Sequence, residues 1–200
     1  MAPGAAPLSL NVLLLGIQGS GKGTQAKRIA AEYDIPHIAT GDMLRNEIRE
    51  RTPLGQEVQA VLERGDLVPD ATMLELIRGR IEDPDTANGF VLDGFPRTMA
   101  QADALDGMLD EIGKPLTIVF ELQVPDEVAR ERMLKRAADE GRSDDTPEAI
   151  ENRIATYHRE TEPIVQHYRL RGNLVGIHGT GTVDEVFREI QDALETAAVR

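Results

Sequence analysis

Residues 10–30 have the sequence LNVLLLGIQGSGKGTQAKRIA, in which an apolar run, a glycine-rich loop and an amphipathic stretch follow one another without a gap. The apolar run Leu10–Leu15 is short and ends at a glycine, which is typical of a buried β-strand. The stretch Lys22–Tyr33 has the length and composition of a helix. This part of the chain therefore predicts a strand, a tight loop and a helix in immediate succession.

The loop fits the pattern G-x-x-x-x-G-K from Gly16 to Lys22, with Gly23 and Thr24 following. Glycines let the backbone curl with its N–H groups pointing inward, and the start of a helix adds a field that favours anions. The lysine would add a positive charge beside the β- and γ-phosphates of a nucleotide. A glycine-rich turn with a chance lysine is the alternative, and the flanking strand and helix argue against it. The pattern thus predicts a phosphate-binding loop.

Short apolar runs alternate with longer helical stretches along the rest of the chain. The alternation favours an α/β fold, a parallel sheet covered by helices on both faces, with ligands bound beyond the carboxyl ends of the strands. Two segments interrupt it, a helical excursion over 40–68 and a short polar stretch after Arg136. Such insertions are often lids, and ordinary surface loops are the alternative. We predict further strands at 35–39, 90–92, 116–122 and 174–177, and helices at 43–50, 53–64, 70–82, 98–112, 125–138, 146–171 and 183–197.

Composition excludes several classes of protein. The chain has 200 residues, the length of one domain, and no cysteine, so disulfides, thiol nucleophiles and Cys-ligated zinc are ruled out. Its net charge of −13 is unfavourable for holding a nucleic-acid backbone or an anionic membrane. No apolar run reaches the ~18 residues of a membrane span, and MAPGAAPLS lacks the basic segment of a secretory signal. We expect a cytoplasmic protein with a disordered start and without nucleic-acid or membrane partners.

A series of sequence blocks, in order, resembles the adenylate kinases within the nucleoside monophosphate kinases. The similarity runs from Leu10 to Leu194, which is nearly the whole chain. Several blocks in the right order are much more specific than any one of them. They are GIQGSGKGTQ (16–25), TGDMLR (40–45), GDLVPD (65–70), LDGFPRTMAQA (92–102), EGRSDD (140–145) with Arg153 downstream, and TEPIVQHY (161–168).

The resemblance implies reversible, magnesium-dependent transfer of the γ-phosphoryl group of ATP to AMP, which gives two ADP. It also implies a P-loop NTPase-like core with a five-stranded parallel sheet, formed by residues 1–39, 69–136 and 148–200. The two interrupting segments would be a helical flap that binds the nucleoside monophosphate, residues 40–68, and a short ATP lid, residues 137–147. A monomer whose partners are ATP, AMP and ADP is implied in the same way.

The resemblance also assigns roles to individual residues. On the ATP side these are the loop, two arginines at the lid hinge and a backbone carbonyl near the adenine: Gly19, Ser20, Gly21, Lys22, Gly23, Thr24, Arg132, Arg136 and Gly181. On the AMP side they are Thr40, Arg45, Asp66, Leu67, Val68, Gly94, Phe95, Pro96, Arg97, Gln101, Arg142 and Arg153. The catalytic residues would be Lys22, Arg97, Arg132, Arg136, Arg142 and Arg153. Asp93 would hold Mg²⁺ through water, and no zinc site is expected.

Phosphoryl transfer explains why these residue types occur together. The reaction passes through a loose transition state, so a protein has chiefly to align the partners and neutralise charge, and no side-chain nucleophile is needed. Simpler roles stay open at this point. Asp93 could cap a helix or pair with an arginine, and Arg132, Arg136 and Arg153 could lie on solvated helix faces.

The sequence departs from the family at one position of the loop, where proline is usual and this chain has Gln18. Proline fixes φ and donates no hydrogen bond, so Gln18 is expected to change how the loop is held without removing a phosphate contact. The lid is of the short type and lacks the metal-binding cysteines of longer lids.

Three other functions are compatible with parts of the pattern. A UMP/CMP kinase shares the fold, the loop and the arginines. Such enzymes usually have alanine at the position of Thr40 and asparagine-rich sequence after GFPR, where this chain has Gln101. A regulator could bind ATP without transferring phosphate to AMP. A GTPase switch is disfavoured, because the chain has no N-K-x-D motif.

Overall fold

The computed structural model describes residues 9–142 and 144–198. Residues 1–8, for which we expected disorder, and Ser143 of the expected lid lie outside the described residues. Within the described ranges, no helix is long and apolar enough to cross a membrane.

In the described chain, five parallel strands form one sheet in the spatial order β2-β3-β1-β4-β5. From β1 the chain moves to one side of the sheet for β2 and β3, and to the other side for β4 and β5. The carboxyl end of β1 therefore lies where the connections diverge and leave a crevice. The predicted fold class is confirmed. The strands are β1 (Leu10–Leu15), β2 (His37–Ala39), β3 (Gly89–Asp93), β4 (Ile118–Gln123) and β5 (Leu174–His178).

Helices cover both faces of this sheet, and a short 3₁₀ turn, Pro84–Thr86, precedes β3. The helices are α1 (Lys22–Tyr33), α2 (Thr40–Arg49), α3 (Pro53–Glu63), α4 (Asp70–Ile81), α5 (Met99–Glu111), α6 (Asp126–Glu140), α7 (Pro147–Thr156), α8 (Glu162–Arg171) and α9 (Val183–Ala198).

The central strand β1 is buried on both sides. Successive side chains of a strand point to opposite faces. Leu13 packs in the cluster that contains residues of α4, α5 and α8, whereas Val12 and Leu14 pack in the cluster that contains residues of α1 and α9. All three side chains are at most 1% exposed. This is why β1 has a continuous apolar run from Val12 to Leu15 rather than an alternating pattern.

Several element boundaries differ from the sequence prediction by one to three residues. Helix α2 begins at Thr40, three residues earlier than predicted, and β2 begins at His37, two residues later. Helix α6 continues to Glu140, so it enters the segment that we expected to form the lid. The early start of α2 is favoured by Asp42 in its first turn, where a carboxylate complements the helix dipole.

The single helix predicted over 146–171 is wrong in one respect, because a five-residue π-helical turn, Tyr157–Thr161, separates α7 from α8. Pro163 lies in the first turn of α8, and a proline removes one backbone N–H from the helical ladder. The π-helical turn is wider than an α-helical turn and accommodates the hydrogen bond that the proline cannot make. It also brings Thr161 to the sheet edge, where its hydroxyl donates a hydrogen bond to the Arg97 carbonyl oxygen at 2.9 Å.

Helices α2 and α3 pack closely where they meet at Gly55. A Cβ at Gly55 would lie 2.1 Å from the Glu47 carbonyl oxygen, far inside contact distance. The Gly55 backbone N–H donates to the Thr52 hydroxyl at 3.0 Å, which caps α3. The close approach of the two helices therefore depends on the missing side chain.

We expect Gly55→Ala to lower the free energy of unfolding by about 1–3 kcal/mol, because the added methyl group must displace the backbone of α2. Gly79→Ala is the matched control: Gly79 lies on the exposed side of α4, and a Cβ there meets nothing within 4 Å. That substitution should stabilise the chain by about 0.5–1 kcal/mol. Urea unfolding of both variants measures the difference. Equal stabilisation by the two substitutions would contradict the close packing.

Candidate active site

A cleft of about 450 Å³ opens at the carboxyl edge of the sheet, beside the glycine-rich loop. Apart from Ser20 and Gly181, every residue that the sequence predicted for the site lines this cleft. Ser20 belongs to the loop but is only 1% exposed, while Gly181 is exposed. Neither residue therefore forms part of the cleft wall.

The loop lies directly against helix α6. Gly19 has a φ of 85°, and a Cβ there would lie 2.4 Å from the Ala129 carbonyl oxygen. Glycine is therefore required at this position for two reasons, the left-handed backbone and the absence of space. The contact places α6, which carries Arg132 and Arg136, next to the loop.

Lys22 is held by the loop to which it belongs. Its Nζ donates hydrogen bonds to the carbonyl oxygens of Gly16 at 2.6 Å and Ile17 at 2.9 Å. Burial lowers the pKa of the ammonium group to about 8; Asp93 opposes the shift, and Arg97 and Arg136 add to it. The loop therefore holds the Lys22 ammonium group in a fixed position, where burial disfavours its positive charge until an anion binds beside it.

Arg97 follows β3 and is fixed by its own segment, because its Nε donates to the Gly94 carbonyl oxygen at 2.6 Å. Burial and the nearby charges of Arg153 and Arg45 lower the pKa of Arg97 to about 10, while Asp93 opposes the shift. The guanidinium still carries its charge at neutral pH. Its environment is strongly positive, which favours an anion in the cleft.

Two aspartates that sequence reasoning did not assign hold several of these arginines. Asp144 lies 2.7 Å from Arg153 Nη2 and 3.8 Å from Arg45 Nη1. Asp145 has a fully buried side chain and bridges Arg153 to Arg136, with 2.7 Å to Arg136 Nη2. Burial favours the neutral form of Asp144, but Arg153 and Arg45 outweigh it and keep the pKa of this carboxyl below its ordinary value.

The signal that could have identified this pair was the acidic end of the EGRSDD block, close in sequence to three arginines. Arg153 itself is only 7% exposed, so the solvated-face alternative is wrong for it. The third arginine of this region, Arg142, pairs with Glu140 at 2.6 Å and lines the cleft.

Arg132 joins the loop to the segment after β5. Its Nη1 donates to the carbonyl oxygens of Gly179 at 2.9 Å and Ser20 at 3.3 Å. It therefore does not lie on a solvated helix face. Gly181 is two residues beyond the Gly179 contact, so the segment that carries it lies beside the loop even though Gly181 does not line the cleft.

The opposite wall of the cleft comes from α2, the segment before α4, and the turn after β3. The Thr40 hydroxyl donates to the Asp93 carbonyl oxygen at 3.3 Å, which ties α2 to the end of β3. Asp66 accepts from Arg64 at 2.7 Å and from Asn152 at 2.8 Å, which ties the following segment to α7. Gln101 is 2% exposed and lines the cleft.

Asp93 is the last residue of β3, and its carboxylate lines the cleft next to the loop. Its Oδ2 would lie 3.6 Å from a Cβ on Gly23 and is 3.5 Å from His37 Nε2. Among the described residues, no group of three or more His, Cys, Asp or Glu could hold a metal ion. A single carboxylate beside a phosphate loop fits Mg²⁺, which prefers oxygen, keeps several waters and shares its ligands with nucleotide phosphates.

A family model for adenylate kinase matches residues 14–173. The chain belongs to the adenylate kinase family. It is a phosphotransferase of the nucleoside monophosphate kinase type, and the family resemblance drawn from the sequence blocks is confirmed.

Three relatives illustrate the extent of the similarity to this family. The adenylate kinase of Xanthomonas campestris pv. campestris (strain B100) is 46% identical over 185 residues, which cover 92% of this chain and 99% of the relative. That of Micrococcus luteus is 49% identical over 183 residues, 92% of this chain and 89% of the relative. That of Stenotrophomonas maltophilia (strain K279a) is 46% identical over 186 residues, which cover 93% of this chain and 100% of the relative.

The lowered pKa of Lys22 predicts how the ATP affinity of this family member depends on pH. Phosphate favours the protonated amine, so ATP affinity should fall as the pH rises above about 8, by up to about tenfold per pH unit for one linked proton. Lys22→Met takes up no such proton, so its weaker affinity should change much less. Calorimetric titration with ATP between about pH 7 and pH 10 measures both slopes. Equal slopes would show that Lys22 does not face the phosphates.

Proposed function

We propose that this cleft catalyses the reversible, magnesium-dependent transfer of the γ-phosphoryl group of ATP to AMP, giving two ADP. The observation that carries the proposal is the convergence of Lys22 and the arginines of four separate segments on one cleft beside the loop. The family relationship supports the same reaction.

The cleft has two unlike walls, which suit two nucleotides. On the ATP side are the loop with Lys22 and helix α6 with Arg132 and Arg136. On the AMP side are the flap residues Thr40 and Arg45, with further contacts from Asp66, Leu67, Val68, Gly94, Phe95, Pro96 and Gln101. ATP would bind with its phosphates in the loop, and AMP with its phosphate toward Arg45 and Arg97. The flap of residues 40–68 and the lid of residues 137–147 would close over them and exclude water.

Three arginines would act on the group that is transferred. Arg97, Arg142 and Arg153 all line the cleft, and the positive charge of Arg153 helps to lower the pKa of Arg97. In a loose transition state, charge is spread over the oxygens of the phosphoryl group, so fixed guanidiniums that surround it stabilise it without forming a bond. The attacking atom is a phosphate oxygen of AMP, which explains why the site needs no side-chain nucleophile.

The carboxylates of Asp144 and Asp145 would orient the arginines before they meet phosphate. Each guanidinium has five N–H donors, so Arg153 can keep its carboxylate partners and still offer donors to a substrate. Lys22 would exchange the carbonyl oxygens of its loop for phosphate oxygens. Bound Mg²⁺ supplies positive charge to the phosphate oxygens of ATP, and Asp93 would hold it through water. We expect a monomeric, cytoplasmic enzyme whose partners are these nucleotides.

A coupled assay of ADP production, with ATP and either AMP, CMP, UMP or GMP, tests the proposed substrate. AMP should be the best acceptor by kcat/KM. Higher activity with UMP or CMP would instead support a pyrimidine nucleotide kinase, and stabilisation by ATP without any transfer would support a regulator.

Lys22→Met should leave a folded protein whose kcat is lower by about 10²–10³, the usual cost of removing one stabiliser of developing charge. Glu32→Met is the control, because Glu32 is an exposed charged residue on the same helix, α1, and does not line the cleft. An exposed charge contributes about 0.2–1 kcal/mol, so the control should lose less than about fivefold. Thermal unfolding checks the fold of both variants. Similar losses in the two variants would contradict the role of the loop lysine.

A further inference from the structure

The carboxamide of Gln101 is held at both ends by the protein. Its Oε1 accepts a hydrogen bond from the backbone N–H of Arg97 at 2.7 Å, and its Nε2 donates one to Asp70 Oδ1 at 2.7 Å. Thr98 closes a ring: its hydroxyl donates to Asp70 at 3.2 Å and accepts from the backbone N–H of Gln101 at 3.2 Å.

These partners determine which end of the carboxamide is oxygen and which is nitrogen. A backbone N–H can only donate and a carboxylate can only accept, so the oxygen faces Arg97 and the nitrogen faces Asp70. Turning the amide by half a rotation would place two donors against each other at Arg97 and two acceptors against each other at Asp70. The neighbours therefore allow a single orientation.

Each end of the carboxamide can still form one hydrogen bond to a ligand. A carbonyl oxygen accepts two hydrogen bonds and an amide nitrogen donates two, and the protein uses one of each. Since Gln101 lines the cleft, the remaining acceptor and the remaining N–H are available to a base. A 6-aminopurine offers a donor at N6 and an acceptor at N1, which matches this order. A 6-oxopurine offers an acceptor at O6 and a donor at N1, which requires the reversed amide.

We infer that Asp70 is a positioning residue that determines base specificity, because it locks the Gln101 carboxamide in the orientation that accepts a 6-aminopurine and rejects a 6-oxopurine. This inference rests on the proposed function in one respect: the proposed function places the base of the nucleoside monophosphate beside Gln101. Asp70 does not itself contact the base in this scheme; it acts through Gln101.

The surroundings of Asp70 suit this role. It is the first residue of α4, where the helix N-terminus favours a negative charge. The Thr98 hydroxyl lies 3.2 Å from each of its carboxylate oxygens, which fixes the direction of the group. The carboxylate thus stays an acceptor at a fixed position, which is the property that the lock requires.

Inosine monophosphate is the sharpest probe. It differs from AMP at the two positions that the carboxamide would face, and it lacks the 2-amino group of guanine. The measured quantity is the ratio of kcat/KM for AMP to that for inosine monophosphate. It is compared in the wild type, Asp70→Asn, Asp70→Ala, Gln101→Leu and the control Glu75→Gln. Glu75 is an exposed carboxylate on the same helix, α4.

We expect Asp70→Asn to lower this ratio by about tenfold or more, the factor associated with a hydrogen bond to a charged group. Asparagine can donate as well as accept, so it tolerates both orientations of the Gln101 amide. Activity with inosine monophosphate should therefore rise while activity with AMP falls, and KM for ATP should stay within about twofold. Glu75→Gln should leave the ratio unchanged. Asp70→Ala, which also frees the amide, should shift the ratio in the same direction and covers the case in which Asp70→Asn does not fold.

A purely structural role of Asp70 would lower activity with both acceptors equally. A ratio within about twofold of the wild type in an Asp70 variant that unfolds at the wild-type temperature would overturn the inference. If Gln101→Leu strongly lowers the ratio while the folded Asp70 variants do not, the proposed role of Asp70 is wrong, but the proposed AMP site is retained. If Gln101→Leu also leaves the ratio unchanged, the base is not bound beside Gln101, and the proposed AMP site and the lock are both wrong.

Discussion

Concentrating positive charge in one cleft is the constraint on which the rest of this structure depends. Like charges that approach one another out of water repel strongly and lose hydration, and the lowered pKa values of Lys22 and Arg97 record that cost. The fold offsets it by giving each cation fixed partners: loop carbonyls for Lys22, the Gly94 carbonyl for Arg97, and buried carboxylates for Arg153. Because the net charge of the whole chain is −13, the residues outside the cleft carry an excess of negative charge.

The central parts of the fold could be predicted because they obey local rules. An apolar run that ends in a glycine-rich loop and a helix has few other interpretations, and the alternation of strands and helices specifies a parallel sheet. The parts that could not be predicted depend on contacts between distant segments. Asp144 and Asp145 resemble any pair of surface acids until α7 brings Arg153 to them. The hydrogen bond from the Thr40 hydroxyl to the Asp93 carbonyl oxygen, which ties α2 to the end of β3, is a contact of the same kind.

Orientation, and not only residue type, carries information in this cleft. The family resemblance assigns Gln101 to the AMP site, and a carboxamide has one donor and one acceptor to offer a base, but the sequence cannot say which end faces which atom. That depends on Asp70, 31 residues earlier in the chain, and on the backbone of Arg97. The packing of α4 against α5 is therefore part of the chemistry of the site, although both helices begin outside the loop and the flap.

The π-helical turn between α7 and α8 determines how the two helices are rotated relative to one another, and so which way their side chains face. Helix α7 turns Arg153 toward the cleft, while α8 turns the fully buried Tyr168 into the core, where its hydroxyl donates to Asp106 at 3.2 Å. Removing one residue between them would rotate one helix by about 100° relative to the other. Either the guanidinium would leave its carboxylates or the tyrosine would leave the core. The number of residues between Arg153 and Tyr168 is thus as strictly constrained as their identity.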